Sequence, residues 1–459
     1  MPNLNLQHLK LRDYRCFETI DIDFDKQLTV LVAANGAGKT SILDAIAVAL
    51  GPYIGAFDEA VGKHFAASDI RQFQVRKSAT REMEYAPNGV WLEATGVIPG
   101  SLFEQLGHSG PTSWKRALTS PTKAKTTIKQ AKELIAYGKH MQEAVRTSGT
   151  EVLLPLIAYY GTGRLWQQKK LTGIKKIQRT SRTVGYTDSL DPASSYKSFV
   201  EWFHYWNFNA KNEHLKALET GQPSKAATEF DAYIQSVSEA VNICMQPAGW
   251  KNIEYSFSRD ALVAHHDAHG ELPVELLSDG IRNMIGMVAD IAFRATKLNP
   301  QLGGTASRQT PGIVLIDEVD MHLHPEWQQV VLQSLTEAFP NVQFIVTTHS
   351  PQVLSTVKRE NIRVIGPDAS GKLIAAPPLA MTYGEPSGDV MQSVMMVDPQ
   401  PPVREKGELQ RLTELVDQGD HQSVEAVQLM QSLVVALGEQ HPQLLRLQRS
   451  IQRQKALKP

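Results

Sequence analysis

Residues 33–40 read AANGAGKT, and residues 313–318 read IVLIDE. The first run is a glycine-rich loop with one lysine and a hydroxyl behind it. Gly36 and Gly38 let the backbone curl, so that N–H groups of Asn35, Gly36, Ala37 and Gly38 can point at one anion. Lys39 adds a positive charge there, and Thr40 and Ser41 open a helix whose positive end faces the same point. This is phosphate chemistry. The second run ends an apolar strand in two acids. Asp317 is placed to hold Mg²⁺ together with the Thr40 hydroxyl, and Glu318 to polarise an attacking water, help worth about 10²–10⁴-fold in rate. His349 follows the next apolar run, FIVTTHS, and can reach the terminal phosphate. ATP with Mg²⁺ is the ligand these residues imply. Ala33 stands where the usual loop pattern has its first glycine.

A second anion site is encoded far downstream. Leu277–Arg282 reads LSDGIR ahead of a helical pattern. Taken alone, Ser278 or Asp279 reads as a helix cap. With Lys39 already covering the terminal phosphate, however, Ser278 and Gly280 have little to do on the same nucleotide. They make sense against the ATP of a second copy, which predicts a homodimer with shared sites. Asp320, His322 and His324 then read as the loop bridging the two sites. Their HLH run could also suggest a metal, but the interface reading is preferred.

These residues need a scaffold that delivers several strand ends to one place. Alternation from Leu4 to Leu11 and again at Ile20–Phe24 predicts two strands with a turn at Arg12–Arg15. Leu28–Val32 is a buried strand running into the glycine loop, and Ser41–Leu50 a helix closed by Gly51-Pro52. Further strands are expected at 90–97, 153–159, 312–316, 343–347 and 362–365. Helices are expected at 126–146, 195–208 (rich in aromatics), 226–244, 281–298 and 325–338. Glu408–Gln454 reads as two helices broken near Gly438–Pro442. The domain reading is a core at 1–60 and 270–366, an insertion at 61–269 with mixed strands and helices, and a mainly helical extension at 367–459. Two stretches are basic. Trp114–Arg146 holds eight Lys/Arg against two Glu, and Arg164–Arg182 holds seven Lys/Arg and no acid. Within them Lys115–Lys139 and Arg164–Arg182 are candidate nucleic-acid contacts, although a solvated surface explains either one alone.

Composition sets limits. A net charge of -1 over 459 residues argues against a general nucleic-acid coat. The two cysteines, Cys16 and Cys244, follow no metal or disulfide spacing, which fits a reducing compartment. No apolar run approaches the roughly 20 residues that span a bilayer. No hydrophobic signal core opens the chain. A cytoplasmic protein without a membrane span is expected.

The set of motifs resembles the ABC-type ATPase heads of the RecF and SMC group over residues 1–60 and 270–366, and the opening LKLRDYRCFETIDIDF looks like that group's first two strands. The fold implied is an α/β ABC-type head, a mixed sheet around a phosphate-loop core, with a largely helical insertion and a C-terminal helical extension. LPLIAYYGTGRLW (154–166), GYTDSLDPASSYKSFVEWF (185–203) and MTYGEPSGDVMQSVMMVD (381–398) resemble the PtuA-like ATPases of Septu and retron anti-phage systems. That resemblance implies an ATPase that regulates an HNH nuclease partner, PtuB-like, through ATP-dependent dimerisation, and assembly beyond the dimer. Asp279 departs from the group's glycine and sets a negative charge near a phosphate, which argues for slow hydrolysis. The group's Mg²⁺-sensing glutamine is sought at Gln72 or Gln74. The alternative reading is a RecF-like DNA repair ATPase without a nuclease partner. A nuclease of the Toprim kind is disfavoured, because the 110 residues after His349 contain no Asp-x-Asp.

Overall fold

The computed structural model describes residues 3–77, 80–99, 110–122, 124–147, 152–163, 181–192, 196–219 and 228–457. It divides into two units, Met1–Val390 and Met391–Pro459. The first unit opens with an antiparallel sheet of order β2-β1-β6-β7, formed by β1 (Asn5–Tyr14), β2 (Phe17–Asp23), β6 (Val90–Val97) and β7 (Thr112–Leu118). Alternate residues of these strands are buried, as period-2 patterning requires. A separate hairpin pairs β4 (Gln72–Lys77) with β5 (Thr80–Tyr85).

The central sheet has the order β15-β14-β3-β13-β12-β8. Its members are β3 (Leu28–Val32), β8 (Leu156–Tyr160), β12 (Gly312–Ile316), β13 (Val342–Thr347), β14 (Ile362–Pro367) and β15 (Leu373–Ala376). All pair in parallel except β15, which returns antiparallel on β14. Every residue of β8, β12 and β13 is buried. Continuous apolar runs of this kind belong to strands covered on both faces. Buried Gln343 ties β13 to the first sheet, accepting from the Leu6 N–H at 2.9 Å and donating to the Leu6 and Asp25 carbonyls, each at 2.7 Å. A third sheet, β11-β10-β9, comprises β9 (Trp250–Ser256), β10 (Ala261–His266) and β11 (Gly270–Pro273).

The longer helices of the first unit are α1 (Lys39–Ile54), α2 (Lys132–Arg146), α3 (Lys197–Glu219), α4 (Glu229–Met245), α5 (Asp279–Leu298) and α6 (Val331–Ala338). Gly51-Pro52 does not close α1, which runs on to Ile54 with Pro52 inside it. Proline has no N–H to give the carbonyl four residues back. Arg116 of β7 supplies the missing donor, its Nη1 reaching the Val48 carbonyl at 2.7 Å, while Trp114 Nε1 donates to the Ala49 carbonyl at 2.9 Å. Arg116 is buried with carbonyls and His64 as partners, and burial pulls its guanidinium pKa down to about 10. It is therefore not a nucleic-acid contact. The stretch 325–338 breaks into a single turn, Pro325–Gln328, and α6.

The insertion expected at 61–269 is not set apart in space. It supplies β6 and β7 to the first sheet and β8 to the central one. The boundary expected after 366 lies inside β14. The second unit holds three helices rather than two: α7 (Lys406–Asp417), α8 (Val424–Leu437) and α9 (Pro442–Leu457). Leu412, Val416, Leu433 and Leu444 form its own core. Gly419, at φ 84°, permits the turn after α7.

Helix α5 is pinned by a buried ion pair. Arg294 Nε donates to Asp290 Oδ2 at 2.8 Å, and the Tyr160 hydroxyl of β8 donates to the same oxygen at 2.7 Å. The two charged side chains are 5% and 2% exposed. Removing one partner strands the other charge, at a cost of about 3–5 kcal/mol. Asp290→Ala should lower the urea unfolding midpoint by a stability loss of that size, and the double variant Asp290→Leu, Arg294→Met should recover most of it. An unchanged midpoint in the single variant would contradict this assignment.

Candidate ATP site

The phosphate loop leaves β3 at Val32 and enters α1 at Lys39. Gly36 and Gly38 have φ of 77° and 95°. Gly38 has a second reason to be glycine: a Cβ there would lie 2.4 Å from Phe17 Cζ and 2.7 Å from Cys16 Sγ. The β1–β2 turn thus presses on the loop from behind. Ala33 is not among the residues with positive φ, so its methyl costs the loop nothing.

The parallel register of β3, β13 and β12 aligns the rest. Leu31 pairs with Thr347, and Val346 with Ile316, so Asp317 emerges beside Thr347. The Thr347 hydroxyl donates to Asp317 Oδ1 at 2.6 Å and accepts from the Glu318 N–H at 2.7 Å. The Thr40 hydroxyl donates to the other Asp317 oxygen at 2.7 Å. One buried carboxylate therefore joins helix α1 to two strand ends. Glu318 sits at φ 49°, a left-handed conformation that costs a non-glycine residue roughly 1–2 kcal/mol. The Thr347 hydrogen bond helps to hold it there.

Asn35, Gly36, Gly38, Lys39, Thr40, Ser41, Asp317, Glu318 and His349 line one cleft of about 250 Å³. Ala37 belongs to the same loop but does not line the cleft, and neither Gln72 nor Gln74 does. Lys39 Nζ donates to the carbonyls of Ala33 at 2.9 Å and Ala34 at 3.4 Å. Burial lowers its pKa, with Asp317, Glu318 and Asp320 opposing. An arriving phosphate would restore the charge partner that burial removes. Thr40 Oγ1 and Asp317 Oδ2, 2.7 Å apart, fit neighbouring corners of a Mg²⁺ octahedron, whose oxygens at about 2.0–2.1 Å from the ion stand about 3 Å from each other. Thr40 and Asp317 would hold Mg²⁺, which would neutralise phosphate charge there.

Ser278 and Gly280 do not line this cleft. Ser278 is exposed at the start of α5, and its side chain makes no capping bond to its own helix. Gly280 is buried against the loop after β12, where a Cβ would stand 2.3 Å from the His322 carbonyl oxygen. Asp279 is ion-paired with Arg282, so its charge is balanced within the segment. Asp320 accepts from the Thr348 hydroxyl at 2.5 Å, and His324 Nδ1 caps the turn that follows. Among the described residues no cluster of His, Cys, Asp and Glu is placed to hold a metal ion.

Several supporting residues escape the sequence reading. Thr347 is one, although its place in the polar run after an apolar strand is a usable signal. Arg15 is another. It bridges Asp69 at 2.8 Å and Asp44 of α1 at 2.7 Å, and Tyr159 donates to Asp44 at 3.2 Å. These bonds fix the first turns of α1 from outside. Of the two basic stretches, the second lies outside the described residues through 180. In the first, Lys115 pairs with Glu93 at 3.1 Å and Arg146 pairs with Asp58.

The chain is similar to several known proteins. Residues 8–236 match a family described as an AAA domain, and residues 206–355 one described as an AAA domain, putative AbiEii toxin, Type IV TA system. A retron Vc95 probable ATPase of Vibrio cholerae serotype O1 biovar El Tor is 24% identical over 427 residues, 84% of this chain and 78% of that protein. Septu protein PtuA of Bacillus thuringiensis is 27% identical over 258 residues, 54% of this chain and 60% of that one. A solved Smc head bound to the C-winged helix domain of ScpA superposes with a TM-score of 0.43 at 17% identity, over 82% of this chain and 98% of that one. The phosphate loop, the acidic strand end and the strand order define an ATPase of the ABC-type head class. Within that class the chain is similar to a retron probable ATPase and to Septu protein PtuA. No helix among the described residues is long and apolar enough to cross a membrane.

Thr347→Val keeps shape and burial but removes the hydroxyl that orients Asp317 and the Glu318 backbone. Losing such a supporting partner typically costs about 10–100-fold in activity. Steady-state ATPase rates should fall within that range while the far-ultraviolet circular dichroism stays unchanged. Wild-type turnover in Thr347→Val would show that the acids are held without it.

Proposed function

We propose that this ATPase is the nucleotide-driven subunit of an anti-phage complex. It binds and regulates an HNH nuclease through ATP-dependent dimerisation. Ser278 carries the dimer reading. Its hydroxyl stands exposed at a helix start, makes no bond to its own helix, and lies off the cleft that holds the phosphate loop. A helix start of this kind offers N–H donors to an anion. The anion supplied is the terminal phosphate bound by a second copy. In each site Lys39 and the loop N–H groups bind phosphate, Thr40 and Asp317 hold Mg²⁺, and Glu318 orients the attacking water, with His349 beside the terminal phosphate. The second copy's Ser278 and Gly280 close the site.

The nuclease partner is supported by the likeness to Septu protein PtuA and by the segments 154–166, 185–203 and 381–398, which resemble that kind of ATPase. Dimer formation would then couple ATP occupancy to what the paired heads present to the nuclease. Higher assembly of these dimers belongs to the same proposal.

Glu318→Gln preserves shape and removes the charge that orients water. Hydrolysis should drop by about 10²-fold or more, ATP should still bind, and light scattering should show a dimer that accumulates with ATP. A tagged Glu318→Gln protein co-expressed with a PtuB-like HNH nuclease should retain that nuclease on purification. Wild-type hydrolysis, or a monomer at saturating ATP, would contradict the switch. A nuclease that never co-purifies would favour a repair ATPase acting alone.

A further inference from the structure

Helix α9 contributes no residue to the cleft of the ATP site. Leu444, Leu447 and Ile451 seat it in the core of the second unit. With about 3.6 residues per turn, Arg446, Arg449 and Arg453 share the opposite face, and all three are exposed. None of the three has an ion pair or hydrogen bond among the described residues. The cations of α7 in the same unit are matched: Lys406 pairs with Asp398, and Arg411 with Glu425 at 2.7 Å and Glu414 at 3.4 Å. No such acid is at hand for α9. After Glu439 the sequence holds three arginines, two lysines and no Asp or Glu. A helix face that serves solubility alone mixes both signs. This face carries one sign, in a chain whose net charge is only -1.

Three guanidinium groups with unspent donors in a line ask for a row of anions. Each guanidinium is a flat fork that can give two parallel hydrogen bonds to one phosphate. From Arg446 to Arg453 the helix rises about 10 Å, a length over which one strand of a duplex presents about three phosphates. Helix α9 carries no aromatic side chain on which an unpaired base could stack, and stacking of that kind is what single-strand binders add to charge. We infer that the arginine face of α9 binds the phosphate backbone of double-stranded DNA, without reading its sequence. This surface is distinct from the two basic stretches near the middle of the chain and from the ATP cleft, and it does not depend on how the cleft is used.

The test follows binding of the full chain to a short labelled DNA duplex by fluorescence anisotropy, from about 50 to about 200 mM salt. The triple variant Arg446→Gln, Arg449→Gln, Arg453→Gln should bind at least about tenfold more weakly at the low end, and its plot of log affinity against log salt should be shallower by about 0.9 for each arginine removed. The matching triple lysine variant keeps the charges and should hold close to the parent slope. Far-ultraviolet circular dichroism and ATP turnover without DNA should be unchanged in both variants, which separates a lost contact from a lost fold. The loss should be larger on the duplex than on a single strand with the same number of phosphates, and polyglutamate of matched charge should compete poorly with unlabelled duplex. The assignment is overturned if the parent does not bind the duplex, if the glutamine variant keeps the parent's affinity and slope, or if the loss is confined to the single strand. It is equally overturned if polyglutamate competes as well as the duplex, which would make an acidic protein segment the occupant.

Discussion

The site depends on the register of three parallel strands. Because β3, β13 and β12 align as they do, Thr347 falls beside Asp317, and one buried carboxylate can receive hydroxyls from both Thr347 and Thr40. A slip of one residue in any of the three would turn alternate side chains to the other face of the sheet and undo those bonds. The contacts outside the cleft serve the same alignment. Gln343 fixes the start of β13 to β1, and Arg15 braces the first turns of α1. Gly38 lets Phe17 and Cys16 back the loop directly.

Helix α5 extends that rigid frame to the edge of the subunit. Its middle is held to β8 through Tyr160, Asp290 and Arg294, and its start rests on the loop after β12 through the close approach of Gly280 to His322. The exposed Ser278 is therefore positioned by the same strand ends that position Asp317 and Glu318. Two of the left-handed residues that are not glycine, Glu318 and His322, fall in this neighbourhood. Backbone strain of this kind gathers where function over-determines the conformation. The pairing of Asp279 with Arg282 removes the objection that an acid in the segment would repel a phosphate.

Much of the catalytic layout is legible in the sequence because it is local. A strand, a glycine loop and a helix follow one another within 28–54, and the acids of IVLIDE end the strand that carries them. The rest depends on partners far away in sequence. Nothing near Pro52 says that α1 survives it, because the donor that rescues the Val48 carbonyl comes from Arg116. The charge pattern placed Arg116 in a basic surface, whereas packing buries it. The strands β6 and β7 read as part of an insertion because chain order hides their pairing with β1. The split of the C-terminal helical pattern at Gly419 was concealed by a continuous amphipathic period.

The central claim is that each ATP site is completed by a second copy. It is tested most directly by mixing two inactive subunits, Lys39→Ala and Ser278→Arg. Each variant spoils a different half of the composite site, so a mixed dimer keeps one site whole. ATPase activity should be near background for either variant alone and should reappear on mixing, rising with the heterodimer fraction measured by native mass spectrometry. Heterodimers that form but stay inactive would contradict the shared site.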